Sequence, residues 1–249
     1  DVLGARRALI VLADVTRLKR LESLRRDFVA NVSHELKTPI TSIKGYVETL
    51  KDGAIDERED AMRFLDVIGR HADRLNAIIE DLLALSRLEQ NEGKGAIERA
   101  PAALGELAEA VFEVLSPAAR EKGITLQRAF DPTLLLLVKA PLFEQALLNL
   151  IDNAIKYGTP GGRVELVSEE GERAIRLLVR DDGPGIPAED LPRLFERFYR
   201  VDKARSRQQG GTGLGLSIVK HILQAHGGSV EVQSVIGRGS TFILTLPKI

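Results

Sequence analysis

Apolar residues recur at steps of three and four from Leu21 through Leu24, Phe28, Val32, Leu36, Ile40, Ile43 and Val47 to Leu50. That spacing predicts one long helix with a single apolar stripe. Within it lies Asn31-Val32-Ser33-His34-Glu35-Leu36-Lys37-Thr38-Pro39. His34 is two residues from both Val32 and Leu36, roughly 200° around the helix from each at about 100° per residue, so it faces solvent or a visiting domain. Lys51-Asp52-Gly53 and Asp56-Glu57 supply a turn and a fresh helix start. A second stripe follows through Phe64, Ile68, Ala72, Leu75, Ile79, Leu82, Leu85 and Leu88, ending in Glu89-Gln90-Asn91-Glu92-Gly93. Two such helices on a short loop form an antiparallel hairpin, which is too thin to cover both stripes. Pairing of two chains into a four-helix bundle is therefore expected.

From about Ala96 the pattern alternates between strand and helix. Helices are expected over Leu104 to Ala119, Pro141 to Tyr157 and Thr212 to Ala225. Strands are expected at Ile124 to Leu126, Leu134 to Val138, Val164 to Val167, Ala174 to Val179, Val230 to Val232 and Thr241 to Leu246. This order predicts an α/β sandwich, a mixed sheet with helices on one face. The fold class is thus α + α/β, a long helical hairpin followed by a sandwich.

Composition narrows the function. The 249 residues are 44% hydrophobic and 29% charged, with 35 Lys and Arg against 36 Asp and Glu. A net charge of -1 argues against nucleic acid as a partner, although basic clusters at Arg25-Arg26 and Lys203 to Arg207 remain local candidates for anions. There is no cysteine, so disulfides and thiolate metal sites are excluded, and four scattered histidines assemble no zinc site. No apolar run approaches the roughly 20 residues that cross a bilayer. The strand-like Ala8 to Leu12 reads as the end of a preceding domain, making this a piece of a longer receptor.

His34 is a candidate nucleophile, because a neutral imidazole keeps a free lone pair at cellular pH with an ordinary pKa of about 6.5. Glu35 can polarise it, and Thr38 lies one turn away. Pro39 costs a helix interior roughly 3 kcal/mol, so its retention beside an exposed His-Glu pair points to use of the bend. A lone histidine on a helix would usually be only a solvated side chain.

Three later segments are richer in glycine, asparagine and acid than folding alone needs. In Asn149 to Tyr157, Asn149 and Asn153 leave one helix face at i, i+4 with Lys156 a turn beyond, a set of oxygens and one cation suited to a magnesium-phosphate group. Asp181-Asp182-Gly183-Pro184-Gly185-Ile186-Pro187 follows a strand. It is ordinary turn chemistry on its own, yet Asp181 can accept from an exocyclic amine while Gly183 and Gly185 admit a flat ligand. Gly210-Gly211-Thr212-Gly213-Leu214-Gly215 opens a helix, where backbone N–H groups cradle phosphate. A dinucleotide fingerprint fails for want of a βαβ unit, and the Walker ending is missing. Between these last two segments, Leu194 to Arg200 and the polar run from Lys203 read as a lid on an aromatic anchor, with Arg200 and Lys203 in reach of phosphate.

The His-Glu-Leu-Lys-Thr-Pro segment, followed in order by these three, resembles the bacterial sensor histidine kinases across nearly the whole chain. The Phe28 to Leu50 segment is similar to PhoR-type phosphate sensors. The resemblance implies a residual strand of a PAS-like sensor domain and linker over residues 1–14. It implies a dimerisation and histidine-phosphotransfer domain over 15–92, a hinge at 93–96 and a Bergerat-type ATP-binding domain over 97–249. It implies His34 as phosphoacceptor, Glu35 as general base and Thr38 as the residue orienting water for dephosphorylation of the regulator. Asn153 and Asn149 would hold Mg2+. ATP would contact Lys156, Tyr157, Asp181, Gly183, Gly185, Arg200, Lys203, Gly211, Thr212, Gly213, Leu214 and Gly215. The implied partners are a second copy, a response regulator receiver domain and an upstream sensor. The chain would be the cytoplasmic portion of a parent that meets a membrane only through preceding segments. An ATPase or serine kinase of the same fold, and a scaffold that binds ATP without turnover, are the alternatives.

Overall fold

The computed structural model describes residues 14–91, 97–202 and 211–248. The expected strand before residue 14, the hinge at 93–96 and Lys203 lie outside them.

Helix α1 (Thr16–Lys51) runs through Pro39, and a short 3-10 turn (Ala54–Asp56) leads into α2 (Arg58–Asn91). Pro39 has no N–H to offer the carbonyl of Glu35 four residues back, and its ring is buried. The hairpin buries one face and leaves another bare. Leu50, Ala61, Ile78, Leu85 and Leu88 are buried, whereas Val29, Ile40, Val47, Met62, Leu65, Ile79 and Leu83 are exposed. The stripe predicted from periodicity therefore merges two faces, and Ile40, Val47 and Ile79 point outward. Tyr46 and Phe64 stack between the helices with ring centres 5.4 Å apart.

The second domain has two layers. Strands β2 (Thr125–Ala129), β4 (Arg163–Glu170), β5 (Ala174–Asp181), β7 (Gly239–Pro247) and β6 (Ser229–Val235) form one sheet in that spatial order. Only the β2–β4 pair is parallel, since β2 and β4 are joined through a helix rather than a hairpin. A separate ribbon pairs β1 (Ala100–Ala103) with β3 (Leu135–Val138).

Helices α3 (Leu104–Glu121), α4 (Ala140–Tyr157) and α5 (Gly215–Ala225) cover one sheet face. Their stripes, such as Leu107, Val111 and Leu115 on α3, meet Leu166, Leu177, Val179 and Leu244 from the strands. The opposite sheet face is wet and carries cross-strand ion pairs, Arg176 with Glu169 at 2.8 Å and Arg180 with Glu165 at 3.6 Å. Leu85 and Leu88 of α2 belong to the same core as the sandwich helices, which seats the sandwich on the hairpin.

Candidate functional site

The polar edge of α4 opens a cavity. Lys139 precedes the helix with extended backbone and Pro141 sits in the first turn, where its missing N–H is harmless. Ala146, Leu147, Leu150, Ile151 and Ala154 are spaced to bury one face. Asn149, Asp152, Asn153, Lys156 and Tyr157 line a cavity of about 380 Å³. Lys156 Nζ is 2.7 Å from Asp152 Oδ2 on the same helix, so its charge is partly answered before any ligand arrives.

Asp181 closes one end of this cavity at the end of β5. Burial pushes its carboxyl above the usual carboxylate range, while the N–H groups of Gly183 and Ser240 pull it back down. Gly183 N donates to Asp181 Oδ1 at 2.9 Å and holds that carboxylate in place. Gly185 has φ of +73°, and a side chain there would meet Val235 O at 2.2 Å. The turn therefore lies flat on the β6–β7 hairpin, leaving Gly185 and Ile186 as cavity wall.

The other end is formed by Gly211, Thr212, Gly213 and Gly215 at the start of α5, together with Arg200. At Gly213, with φ of +77°, a Cβ would sit 2.9 Å from Phe198 Cα, and Phe198 N donates to Gly213 O at 2.7 Å. Among the described residues, Arg200 Nε is a buried donor without an acceptor. An anionic oxygen would satisfy it, and the eleven-residue α5 presents its positive end to the same space.

The two domains meet at this end. Arg200 Nη2 lies 3.0 Å from Glu35 Oε2, and Arg74 Nη2 of α2 lies 2.9 Å from the same oxygen. His34, the neighbour of Glu35, is exposed, and Thr38 Oγ1 donates to the His34 carbonyl at 3.1 Å. Phe28 packs on Phe198 with ring centres 5.9 Å apart, and Arg197 lies over the Phe28 ring while pairing with Glu89. Phe198 is held at φ of +62°. Asp81 of α2 accepts from Thr212 Oγ1 at 2.6 Å.

Most residues singled out from sequence thus converge. Asn149, Asn153, Lys156, Tyr157, Asp181, Gly185, Arg200, Gly211, Thr212, Gly213 and Gly215 all line the one cavity. Two do not. Gly183 acts on Asp181 from outside the lining, and Leu214 is a core residue whose N–H donates to Thr212 Oγ1. The final helix starts at Gly215 rather than Thr212, because the left-handed Gly213 interrupts the turn. Sequence reasoning missed Ala77 and Asp81, lining residues contributed by α2, and Arg74 on Glu35. Nothing in an amphipathic helix marks these among its other polar positions.

Residues 24–91 match the family described as the His Kinase A (phospho-acceptor) domain, and residues 138–249 match the histidine kinase-, DNA gyrase B- and HSP90-like ATPase family. The chain belongs to the histidine kinases. The Pseudomonas aeruginosa phosphate regulon sensor protein PhoR is 42% identical to this histidine kinase over 96% of the chain and 54% of its own length. The chain spans between 39% and 54% of the length of three curated relatives that it matches. Acinetobacter baumannii histidine kinase AdeS superimposes with a TM-score of 0.69 at 25% identity, covering 86% of this chain and 97% of that one. The histidine kinase ThkA, solved in complex with response regulator protein TrrA, shares the fold at a TM-score of 0.73 and 24% identity, covering 96% of this chain and 68% of that one.

Proposed function

We propose that this histidine kinase phosphorylates its own His34 from ATP and passes the phosphoryl group to an aspartate of a response regulator receiver domain. The observation that carries this reading is the Arg200–Glu35 pair, which ties a side chain of the nucleotide cavity to the residue beside His34. An imidazole nitrogen of His34 forms a bond to the γ-phosphorus while the bond from that phosphorus to the bridging oxygen breaks and ADP leaves. Glu35 takes the imidazole proton once it is released from Arg200. Phosphoryl transfer asks the protein chiefly to position the reactants and neutralise charge, for which Arg200 and Lys156 are placed in the cavity.

Among the described residues no group of three or more His, Asp or Glu is arranged to hold a metal ion. Asn153 and Asn149 line the cavity, and their carboxamide oxygens would hold a magnesium ion whose remaining ligands are phosphate and water. It would supply charge neutralisation on the phosphates.

We extend the proposal to several finer assignments. A second copy covers the bare hairpin face, which the exposed Ile79 and Leu83 support. The ATP-binding domain moves between docked positions, and an upstream sensor sets that balance. The chain is the cytoplasmic portion of a membrane-anchored parent; no helix among the described residues is itself long and apolar enough to cross a bilayer. Thr38 serves regulator dephosphorylation, so Thr38→Ala should autophosphorylate normally and dephosphorylate the regulator poorly.

The primary test is incubation with Mg2+ and γ-labelled ATP beside a His34→Gln variant. Acid-labile, alkali-stable label that the variant lacks is expected. Label that survives the substitution, or nucleotide hydrolysis without label, would transfer the reading to a kinase of another residue or an ATPase of the same fold.

A further inference from the structure

One wall of the nucleotide cavity belongs to the helical hairpin. Ala77 and Asp81 of α2 line the cavity alongside Lys156, Arg200 and Thr212. The single proton of the Thr212 hydroxyl is directed to Asp81 Oδ2 at 2.6 Å, and its oxygen accepts from Leu214 N at 3.1 Å. Thr212 is buried, so neither bond is open to casual exchange with water. Arg200 is likewise engaged by Glu35, with its side chain only 4% exposed. Two groups at the anion-binding end of the cavity are therefore bonded to carboxylates of the other domain.

A carboxylate on a phosphate-binding wall works against its ligand. Asp81 is half buried, and burial raises its pKa while the Thr212 hydroxyl and the nearby Lys156 charge oppose the rise. Lys156 is also shared with Asp152. Lys156 is thus the cation near two carboxylates, Asp81 and Asp152, and a phosphate chain brings further negative charge beside them in proportion to its length. In such a water-poor space, like charges repel more strongly than they do in bulk solvent.

We propose that Asp81 is a specificity-determining residue of the nucleotide site, a fixed negative charge from the helical domain that disfavours a nucleoside triphosphate relative to a diphosphate while the two domains are docked. This rests on the reading of the cavity as the ATP site. By linkage, what the docked arrangement does to triphosphate affinity, triphosphate does to docking, so ATP loosens the domain contact more than ADP does. The alternative is a plain interdomain hydrogen bond with no effect on ligand choice. Asp81→Asn separates the two, because the carboxamide oxygen still accepts from Thr212 while the charge is gone.

The experiment is calorimetric titration of the dimeric chain with ADP and with the β,γ-imido analogue of ATP, each with Mg2+, at low and high salt. Glu80→Gln serves as control; it removes the same charge from the adjacent, exposed position, outside the cavity lining. Asp81→Asn should bind the ATP analogue about tenfold more tightly, equivalent to about 1.4 kcal/mol, and ADP about threefold more tightly. Both gains should shrink with added salt, and Glu80→Gln should match the parent chain. Unchanged affinities in Asp81→Asn, weaker binding of both nucleotides, or an equal gain in Glu80→Gln would each overturn the role of Asp81 and leave the ATP site standing. Failure of the parent chain to bind either nucleotide would overturn the ATP site itself.

Discussion

Alanine at Gly185 and alanine at Gly161 separate two costs that positive φ usually mixes. The two glycines share a backbone conformation, with φ of +73° and +77°. At Gly161 a Cβ meets nothing within 4 Å, so only the left-handed backbone resists it, at about 1–2 kcal/mol. At Gly185 the same Cβ falls 2.2 Å from Val235 O, 2.7 Å from Val235 C and 2.9 Å from Ile236 Cα. All three are backbone atoms, so no rotamer change relieves the overlap, and the turn must lift off the β6–β7 hairpin. Overpacking of this kind adds roughly 1–3 kcal/mol. With about 2.1 cal/mol/K of unfolding entropy per residue and roughly 150 residues in the sandwich, 1 kcal/mol corresponds to about 3 °C. Scanning calorimetry should show the sandwich transition falling by about 3–6 °C in Gly161→Ala and by about 6–15 °C in Gly185→Ala. Only the second should also weaken nucleotide binding, because Gly185 and Ile186 are cavity wall and Gly161 is not. Equal melting temperatures for the two variants would refute the claim that close backbone approach, rather than conformation alone, requires glycine at 185.

Two further outcomes follow from the packing. His226 is buried, with Nδ1 directed to Ile222 O at 2.7 Å and Nε2 accepting from Lys139 N at 2.9 Å, and burial lowers its pKa below the usual 6.5. A depressed histidine pKa contributes stability that is complete above the unfolded value and lost as pH falls from there through the folded value. The stability gap between the parent chain and His226→Gln should therefore narrow as pH falls below about 6.5 in denaturant titrations; a gap independent of pH would count against this. At the bare hairpin face, Leu83 is 51% exposed and Ile79 46% exposed. Each is already about half buried and would contribute about 0.7–1.5 kcal/mol when covered by a second copy, counted twice by two-fold symmetry. Leu83→Glu should sediment as a monomer at micromolar concentration, and an undisturbed dimer would place the interface elsewhere.

What could be read from sequence divides by physical cause. Asn149 and Asn153 were legible because i, i+4 spacing fixes a shared face in any helix, and the glycines around Thr212 because a backbone without side chains is needed where another chain or a ligand comes close. The phase of α2 was not legible. Ile78 and Ile79 are adjacent, and with apolar faces on both sides of the helix the periodicity cannot say which enters the core; Ile78 is fully buried and Ile79 is not. Strand β1, Ala-Pro-Ala-Ala, has no strand propensity of its own and exists through its pairing with β3. Asp81 and Arg74 are ordinary polar residues of an amphipathic helix until the second domain is seated against them.

That seating explains how a small ligand can govern a large movement. Glu35, Asp81 and Glu89 reach Arg200, Thr212 and Arg197, on both sides of the segment 203–210. Two of the three recipients, Arg200 and Thr212, also line the cavity. A hydrogen bond to a charged group contributes about 1.5–3 kcal/mol net, so exchanging Glu35 and Asp81 for phosphate oxygens moves about 3–6 kcal/mol from the domain contact to the ligand. Shifting a two-state equilibrium from 99:1 to 1:99 takes about 5.5 kcal/mol. The exchange is therefore comparable in size to such a shift, and it leaves Glu35 paired with Arg74 of its own hairpin. Under the proposed function, a nucleotide that claims Arg200 removes one of the two cations paired with Glu35, the base beside His34, and leaves Arg74 to hold that carboxylate in place.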